Sequence, residues 1–187
     1  MASGGSDKTV QVWDATSGKL LFTSTGHTAQ VWSVAWSPDG TRGASSSGYL
    51  KQDNTVIIWE SVTGATQLAY KGHSQPVFAV AWSPGGKHIA SGGLDNTVQV
   101  WDATTGNKTV TYRGHSDTIC CVAWSPNGTH IASAGYDRTV RVWDATTGST
   151  LFTYRGHSHT VRGVAWSPDG TRLASAGDDF RVEVWQA

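Results

Sequence analysis

The chain has 187 residues and carries 14 lysines and arginines against 14 aspartates and glutamates, so its formal net charge is zero. A balanced charge argues against a nucleic-acid binder, which normally presents a clustered basic face, and against electrostatic docking on an anionic membrane. The apolar runs are only a few residues long, which is too short to span a bilayer.

The N-terminal segment and the cysteines bear on the compartment. The chain begins MASGGSDKTV, without the basic stretch and apolar core of a secretory signal peptide. Cys120 and Cys121 are adjacent, and neighbouring residues on a strand point to opposite faces, so an ordinary disulfide between them is not expected. These features together predict a reduced, cytoplasmic setting.

A seven-residue segment returns four times along the chain. It reads VAWSPDG at 34–40, VAWSPGG at 80–86, VAWSPNG at 122–128 and VAWSPDG at 164–170. Residues 89–130 and 131–172 are identical at 28 of 42 positions, so duplication of one unit is the simplest origin. Tryptophans close alternating segments at steps of 46, 42, 42 and 42 residues, at Trp13, Trp59, Trp101, Trp143 and Trp185.

Each unit reads as four short strands, and no window shows a helical period. In the unit 114–155 the strands are expected at 119–124, 130–134, 139–143 and 149–154, with a Pro-Asn-Gly turn after the first. Four antiparallel strands in each repeat predict an all-β chain built as blades of a β-propeller. In chain order, we expect a partial blade at 1–26, full blades at 27–71, 72–113 and 114–155, and a partial blade at 156–187.

Two dipeptides make the resemblance to a known family specific. A Gly-His pair precedes the first strand of each unit, at His27, His73, His115 and His157, and a Trp-Asp pair closes the third strand at Trp13, Trp101 and Trp143. Over essentially the whole chain this pattern resembles WD repeats, although the pair becomes Trp59-Glu60 and Trp185-Gln186 in two units. The resemblance implies propeller blades that serve as a non-catalytic scaffold for protein–protein interaction, without a cofactor.

The same resemblance implies a structural hydrogen-bond network of one histidine, serine, aspartate and tryptophan in each blade. By position the four sets are His27, Ser45, Asp53 and Trp59; His73, Ser91, Asp95 and Trp101; His115, Ser133, Asp137 and Trp143; and His157, Ser175, Asp179 and Trp185.

A recurring histidine, serine and aspartate could also indicate a hydrolase. An enzyme needs one tuned constellation rather than four similar copies, so we interpret the sets as structural and expect no catalytic residue, metal ligand or cofactor. Two other functions stay open: a regulatory or sensor array in a larger signalling protein, and an enzyme with its site at the mouth of the channel.

Partner contacts are expected where the repeats differ. Antiparallel strands place the Gly-His loop and the turn aspartate at the same end of each blade, and the resemblance implies that this end is the partner face. It implies two contact positions on each first strand and one before each turn aspartate. The first-strand pairs are Gln30 and Trp32, Pro76 and Phe78, Thr118 and Cys120, and Thr160 and Arg162; the turn positions are Ser6, Gln52, Leu94, Tyr136 and Asp178. The alternative for Trp32 and Phe78 is simple packing near the channel.

The second unit carries four extra residues between Ser45 and Asp53. Insertions in repeat arrays tend to mark a loop on the binding face, so Tyr49, Leu50 and Lys51 are further candidate contacts. A tolerated loop extension is the alternative.

The strands amount to about four and a half blades, fewer than a closed ring contains. An open arc would leave apolar blade faces and strand edges in water. We therefore expect either self-association that completes a ring or membership in a longer array, with protein partners and no nucleic acid or membrane.

Overall fold

The structure is a computed structural model that describes residues 1–49 and 52–186. These residues form eighteen β-strands in five antiparallel sheets and contain no helix. We number the sheets blades 1 to 5 in chain order. Blade 1 has β1 (Ala2–Gly4), β2 (Val10–Trp13) and β3 (Leu20–Ser24); blade 2 has β4 (Val31–Trp36), β5 (Arg42–Ser47), β6 (Val56–Glu60) and β7 (Thr66–Tyr70); blade 3 has β8 (Val77–Trp82), β9 (His88–Gly93), β10 (Val98–Asp102) and β11 (Lys108–Tyr112); blade 4 has β12 (Ile119–Trp124), β13 (His130–Gly135), β14 (Val140–Asp144) and β15 (Thr150–Tyr154); blade 5 has β16 (Val161–Trp166), β17 (Arg172–Gly177) and β18 (Val182–Gln186).

Within each sheet, successive strands pair with one another in sequence order. The first strands β4, β8, β12 and β16 also contact one another in series, so they lie nearest the common axis. The predicted fold class, an all-β partial propeller of WD-type blades, is confirmed.

Branched aliphatic side chains of the third strands hold neighbouring blades together. Val140 and Val142 of blade 4 are buried against Val161, Val164 and Leu173 of blade 5. Full burial of such a side chain stabilises a fold by about 1.5–3 kcal/mol. The same contact is made between blades 3 and 4, so one interface is repeated along the arc.

Blade 5 ends the arc with this face uncovered. Val182 and Val184 are 72% and 63% exposed, whereas their counterparts Val140 and Val142 are 0% and 4% exposed. Phe180, at the turn before them, is fully exposed. The ring is therefore not closed within residues 1–49 and 52–186.

Candidate functional site

A chain of hydrogen bonds crosses blade 4 from its Gly-His loop to its third strand. His115 Nδ1 lies 2.8 Å from Asp137 Oδ2, and His115 Nε2 lies 2.7 Å from Ser133 Oγ. Trp143 Nε1 donates to the same serine oxygen at 3.2 Å. With Nδ1–H donating to the carboxylate, Nε2 accepts from the serine hydroxyl, which in turn accepts from the indole. Each buried polar group of this hydrogen-bond network in blade 4 therefore has a partner.

Blades 2, 3 and 5 contain the same histidine contacts. In blade 3 the histidine–aspartate and histidine–serine distances are both 2.8 Å, and Trp101 Nε1 lies 3.1 Å from Ser91 Oγ. In blades 2 and 5 the histidine–serine distance is again 2.8 Å, and the histidine–aspartate distances are 3.2 and 2.9 Å. The residues of these three sets are His27, Ser45 and Asp53; His73, Ser91 and Asp95; and His157, Ser175 and Asp179.

The tryptophans of blades 2 and 5 depart from the expected network. Trp59 Nε1 and Trp185 Nε1 are buried and have no hydrogen-bond partner. Trp185 stacks on Tyr154 with 5.0 Å between the ring centroids, and it also contacts Phe152. Both of these partners lie on β15, the edge strand of blade 4.

Two small residues account for the position of Trp59. Trp59 pairs with Gly43 on the neighbouring strand, and a Cβ on Gly43 would lie only 2.2 Å from the indole ring. The residues at the position of Gly43 in blades 3 to 5 are Ile89, Ile131 and Leu173. In blades 3 and 4 the ring stacks on a tyrosine of the preceding blade, but blade 1 has Ser24 at that position. Trp59 instead fills the space over Gly43 and meets Phe22 and Trp36 edge-on.

The network also fixes the ionisation of its aspartates. Burial alone would raise the pKa of Asp137, but hydrogen bonds from His115 and Thr139 outweigh burial and hold that pKa well below its usual range. The same balance lowers the pKa of Asp53, Asp95 and Asp179. Asp137 also accepts from the Ser116 amide at 3.2 Å, so its oxygens are committed to holding the loop.

The blade end that carries this network is here called the upper face. An apolar cavity of about 470 Å³ opens on it and is built from blades 2 to 5. Eight of the predicted contact residues line it, together with Gly48: Trp32, Tyr49, Pro76, Phe78, Leu94, Cys120, Tyr136 and Arg162.

A bulge in each first strand explains how four of these side chains meet. The pairing of β12 with β13 shifts between Ile119 and Cys121, which leaves Cys120 as the extra residue. A β-bulge bends its strand and re-aims a side chain. The same shift occurs at Trp32, Phe78 and Arg162.

Trp32 and Phe78 pack together and remain accessible. Their ring centroids lie 5.1 Å apart in an edge-on contact, and Trp32 is 48% exposed. The Trp32 indole donates to the Gly48 carbonyl at 2.7 Å. A Cβ on Gly48 would lie 2.4 Å from Pro76 Cα, so only glycine permits this approach. Gly48 therefore lies directly against blade 3, and Tyr49 lines the cavity.

The far side of the apolar cavity ends in an ion pair. Arg162 donates to both oxygens of Asp178, at 2.7 Å from Nη2 and 3.0 Å from Nε. Its guanidinium lies 5.1 Å from the ring centroid of Tyr136 and donates to the phenol oxygen at 3.3 Å. The Arg162 charge is therefore already matched within the wall.

Cys120 is a poor nucleophile in this setting. Desolvation is the main cause that raises the pKa of its thiol to about 11, so the thiol is protonated near neutral pH. Reactivity follows the thiolate, and Cys120 contributes a small apolar surface to the wall.

A second, polar cavity of about 330 Å³ lies beside the first, and Tyr49 lines both. The predicted contacts Ser6, Gln30 and Gln52 line this polar cavity instead of the apolar one, and its remaining wall is Lys8 and Ala29. Leu50 and Lys51, predicted as contacts, lie outside the described residues.

Lys8 was not among the residues predicted from the sequence. It follows the turn residue Asp7 and adopts a φ of 71°, as Asn96 and Arg138 do in the corresponding turns. Its place directly after an aspartate that opens a turn was the only available signal.

No group of three histidine, cysteine, aspartate or glutamate side chains among the described residues could hold a metal ion. Nor does the described part of the chain contain a helix long and apolar enough to cross a membrane.

Comparison with known proteins identifies the repeat. The family model described as "WD domain, G-beta repeat" matches residues 18–60, 64–102, 106–144 and 148–186. The chain is similar to ribosome assembly protein 4 of Chaetomium thermophilum, with 50% identity over 40 residues, and to the WD repeat-containing protein slp1 of Schizosaccharomyces pombe, with 55% identity over 38 residues. These segments cover 21% and 20% of this chain and 8% of each relative. Because the family model matches most of its length, the chain belongs to the WD-repeat family.

Proposed function

We propose that this chain is a non-catalytic scaffold that binds protein partners on its upper face. The observation that carries this proposal is the apolar cavity, because it gathers variable side chains from four blades around one concave surface. Aromatic residues and arginine are the types enriched at binding hot spots. Trp32, Leu94 and Tyr136 are all exposed there without being needed to close the blades.

The repeated polar residues support a scaffold over an enzyme. Each histidine is bonded on both ring nitrogens, and each network aspartate accepts several hydrogen bonds. A general base must have a nitrogen or oxygen free to reach a substrate proton. Replacing His115 with alanine should therefore lower stability, whereas an enzyme would lose activity with its fold intact.

Affinity capture with matched variants tests the binding face. Trp32→Ala and Tyr49→Ala should each lose proteins that the wild type retains, because both side chains line the apolar cavity. Val62→Ala is the control, since Val62 is exposed in a turn outside both cavities. An unchanged captured set for both cavity variants would reject the upper face as the partner surface.

We further propose that another WD-type blade covers blade 5, supplied by a second copy of the chain. Val182 and Val184 present the same face that Val140 and Val142 bury against blade 5. Light scattering on the purified chain should give a mass above that of the monomer, which is 19.9 kDa. A compact monomer would reject self-association and favour a longer array.

The relatives fit these proposals in general terms. The name of one refers to ribosome assembly, a setting in which a scaffold would act. Because the matched segments are a small part of each relative, a role as a sensor array within a larger signalling protein is the second candidate. We propose a cytoplasmic setting because Cys120 and Cys121 are both free thiols.

A further inference from the structure

We propose that the partner segment is an extended peptide that puts a large apolar side chain into the apolar cavity and an acidic side chain into the polar cavity. This inference rests on the proposed function and adds the chemistry of the ligand. It follows from the contrast between two cavities that share one wall residue, Tyr49.

Among the described residues, Arg162 is the only charged residue that lines the apolar cavity. Both oxygens of Asp178 already match its charge. A charged ligand group would be desolvated there without a counter-ion, which is costly. Leu94, Phe78 and Pro76 instead favour an aliphatic or aromatic side chain.

The polar cavity is lined mainly by residues with polar side chains. Ser6 carries a hydroxyl, Lys8 an ammonium, and Gln30 and Gln52 an amide each, and no described residue of the wall carries a carboxylate. Lys8 makes no salt bridge with any residue in the described part of the chain. A carboxylate would meet one cation and several hydrogen-bond donors there.

The geometry suits a continuous segment. Since Tyr49 belongs to both walls, the cavities are about one large side chain apart, a distance that an extended peptide crosses in about two to three residues. The ligand is thus distinguished by an apolar residue and an acid at close spacing.

Selection from a phage-displayed library of random dodecapeptides on the whole chain tests this, followed by fluorescence anisotropy of the synthesised peptides. Selected peptides should share a large apolar residue and an acid about two to three positions apart. Leu94→Ser should weaken binding by about tenfold. Lys8→Gln should weaken it by about threefold at low salt, and less at high salt.

A double-mutant cycle combines Lys8→Gln in the protein with replacement of the acid in the peptide. Once Lys8 is Gln, replacing the peptide acid with Gln should cost nothing more. Lys19→Gln and Val62→Ser are the matched controls, because these exposed residues lie in turns at the opposite blade end.

The outcomes separate the inference from the proposed function. Peptides that lose affinity with Leu94→Ser but ignore Lys8→Gln would overturn the acidic preference and leave the upper face as the binding surface. Peptides that ignore both changes would overturn the binding face itself, and failure to enrich any peptide would overturn both.

Discussion

Replacing the network serine should cost more in blade 4 than in blade 2. Ser133→Ala leaves two buried groups without a partner, His115 Nε2 and Trp143 Nε1, whereas Ser45→Ala leaves only His27 Nε2. A buried polar group left unsatisfied costs about 1–3 kcal/mol. We therefore expect Ser133→Ala to lower the free energy of unfolding by about 3 kcal/mol and Ser45→Ala by about 1.5 kcal/mol.

Hydrogen exchange measured by mass spectrometry is the suitable assay, because blades of a repeat protein can open separately. Amides of β13 should lose more protection in Ser133→Ala than amides of β5 lose in Ser45→Ala. Ser46→Ala is the matched control, since Ser46 is equally buried but its hydroxyl has no partner. Equal losses for Ser133 and Ser45, or an equal loss for Ser46, would refute the account of the network.

Three further changes follow from the same contacts. Gly43→Ile alone should destabilise blade 2, because the new side chain meets the Trp59 ring. Adding Ser24→Tyr should recover about 1–2 kcal/mol, because the tyrosine offers the indole a stacking partner. Simple additivity of the two changes in urea unfolding would contradict this. The pKa of Asp137 is lower in the folded chain, so the stability that its ionised form provides should be lost as pH falls below about 4. Asp137→Asn should therefore lose less stability in acid than the wild type when unfolding is followed by circular dichroism. An equal dependence of stability on pH in both proteins would contradict this. Phe180 has a φ of 63° and its side chain lies fully in solvent. Because asparagine tolerates this left-handed conformation better, Phe180→Asn should raise the free energy of unfolding of the monomer by about 1 kcal/mol. A lower midpoint temperature in thermal unfolding would show instead that the phenylalanine side chain is needed.

The repeat made most of the fold predictable. The strand expected at 119–124 is found at Ile119–Trp124, and those expected at 139–143 and 149–154 each begin one residue later, at Val140 and Thr150. Alternation of buried and exposed side chains determines where such strands lie, and the turn sequences determine where they end. Both signals recur in every unit.

Contacts between blades were not predictable in the same way. The position of Trp59 depends on Gly43 in its own blade and on Ser24 in the preceding one, and no single unit contains both signals. The first-strand bulges, which orient Phe78 and Cys120, likewise depend on strand register. The sequence therefore identified most of the residues that line the apolar cavity, but it missed Gly48 and could not separate Gln30 and Gln52 into a second cavity.

The uniform blade interface has a consequence for the evolution of the chain. Removal of residues 114–155 would bring Val98 and Val100 against Val161, Val164 and Leu173, side chains close in size to the Ile119, Val122 and Ile131 that they now meet. Recombination between near-identical repeats could therefore add or delete a whole unit without requiring new complementary surfaces. The extent of the upper face can change in steps of one repeat while each remaining blade interface stays intact.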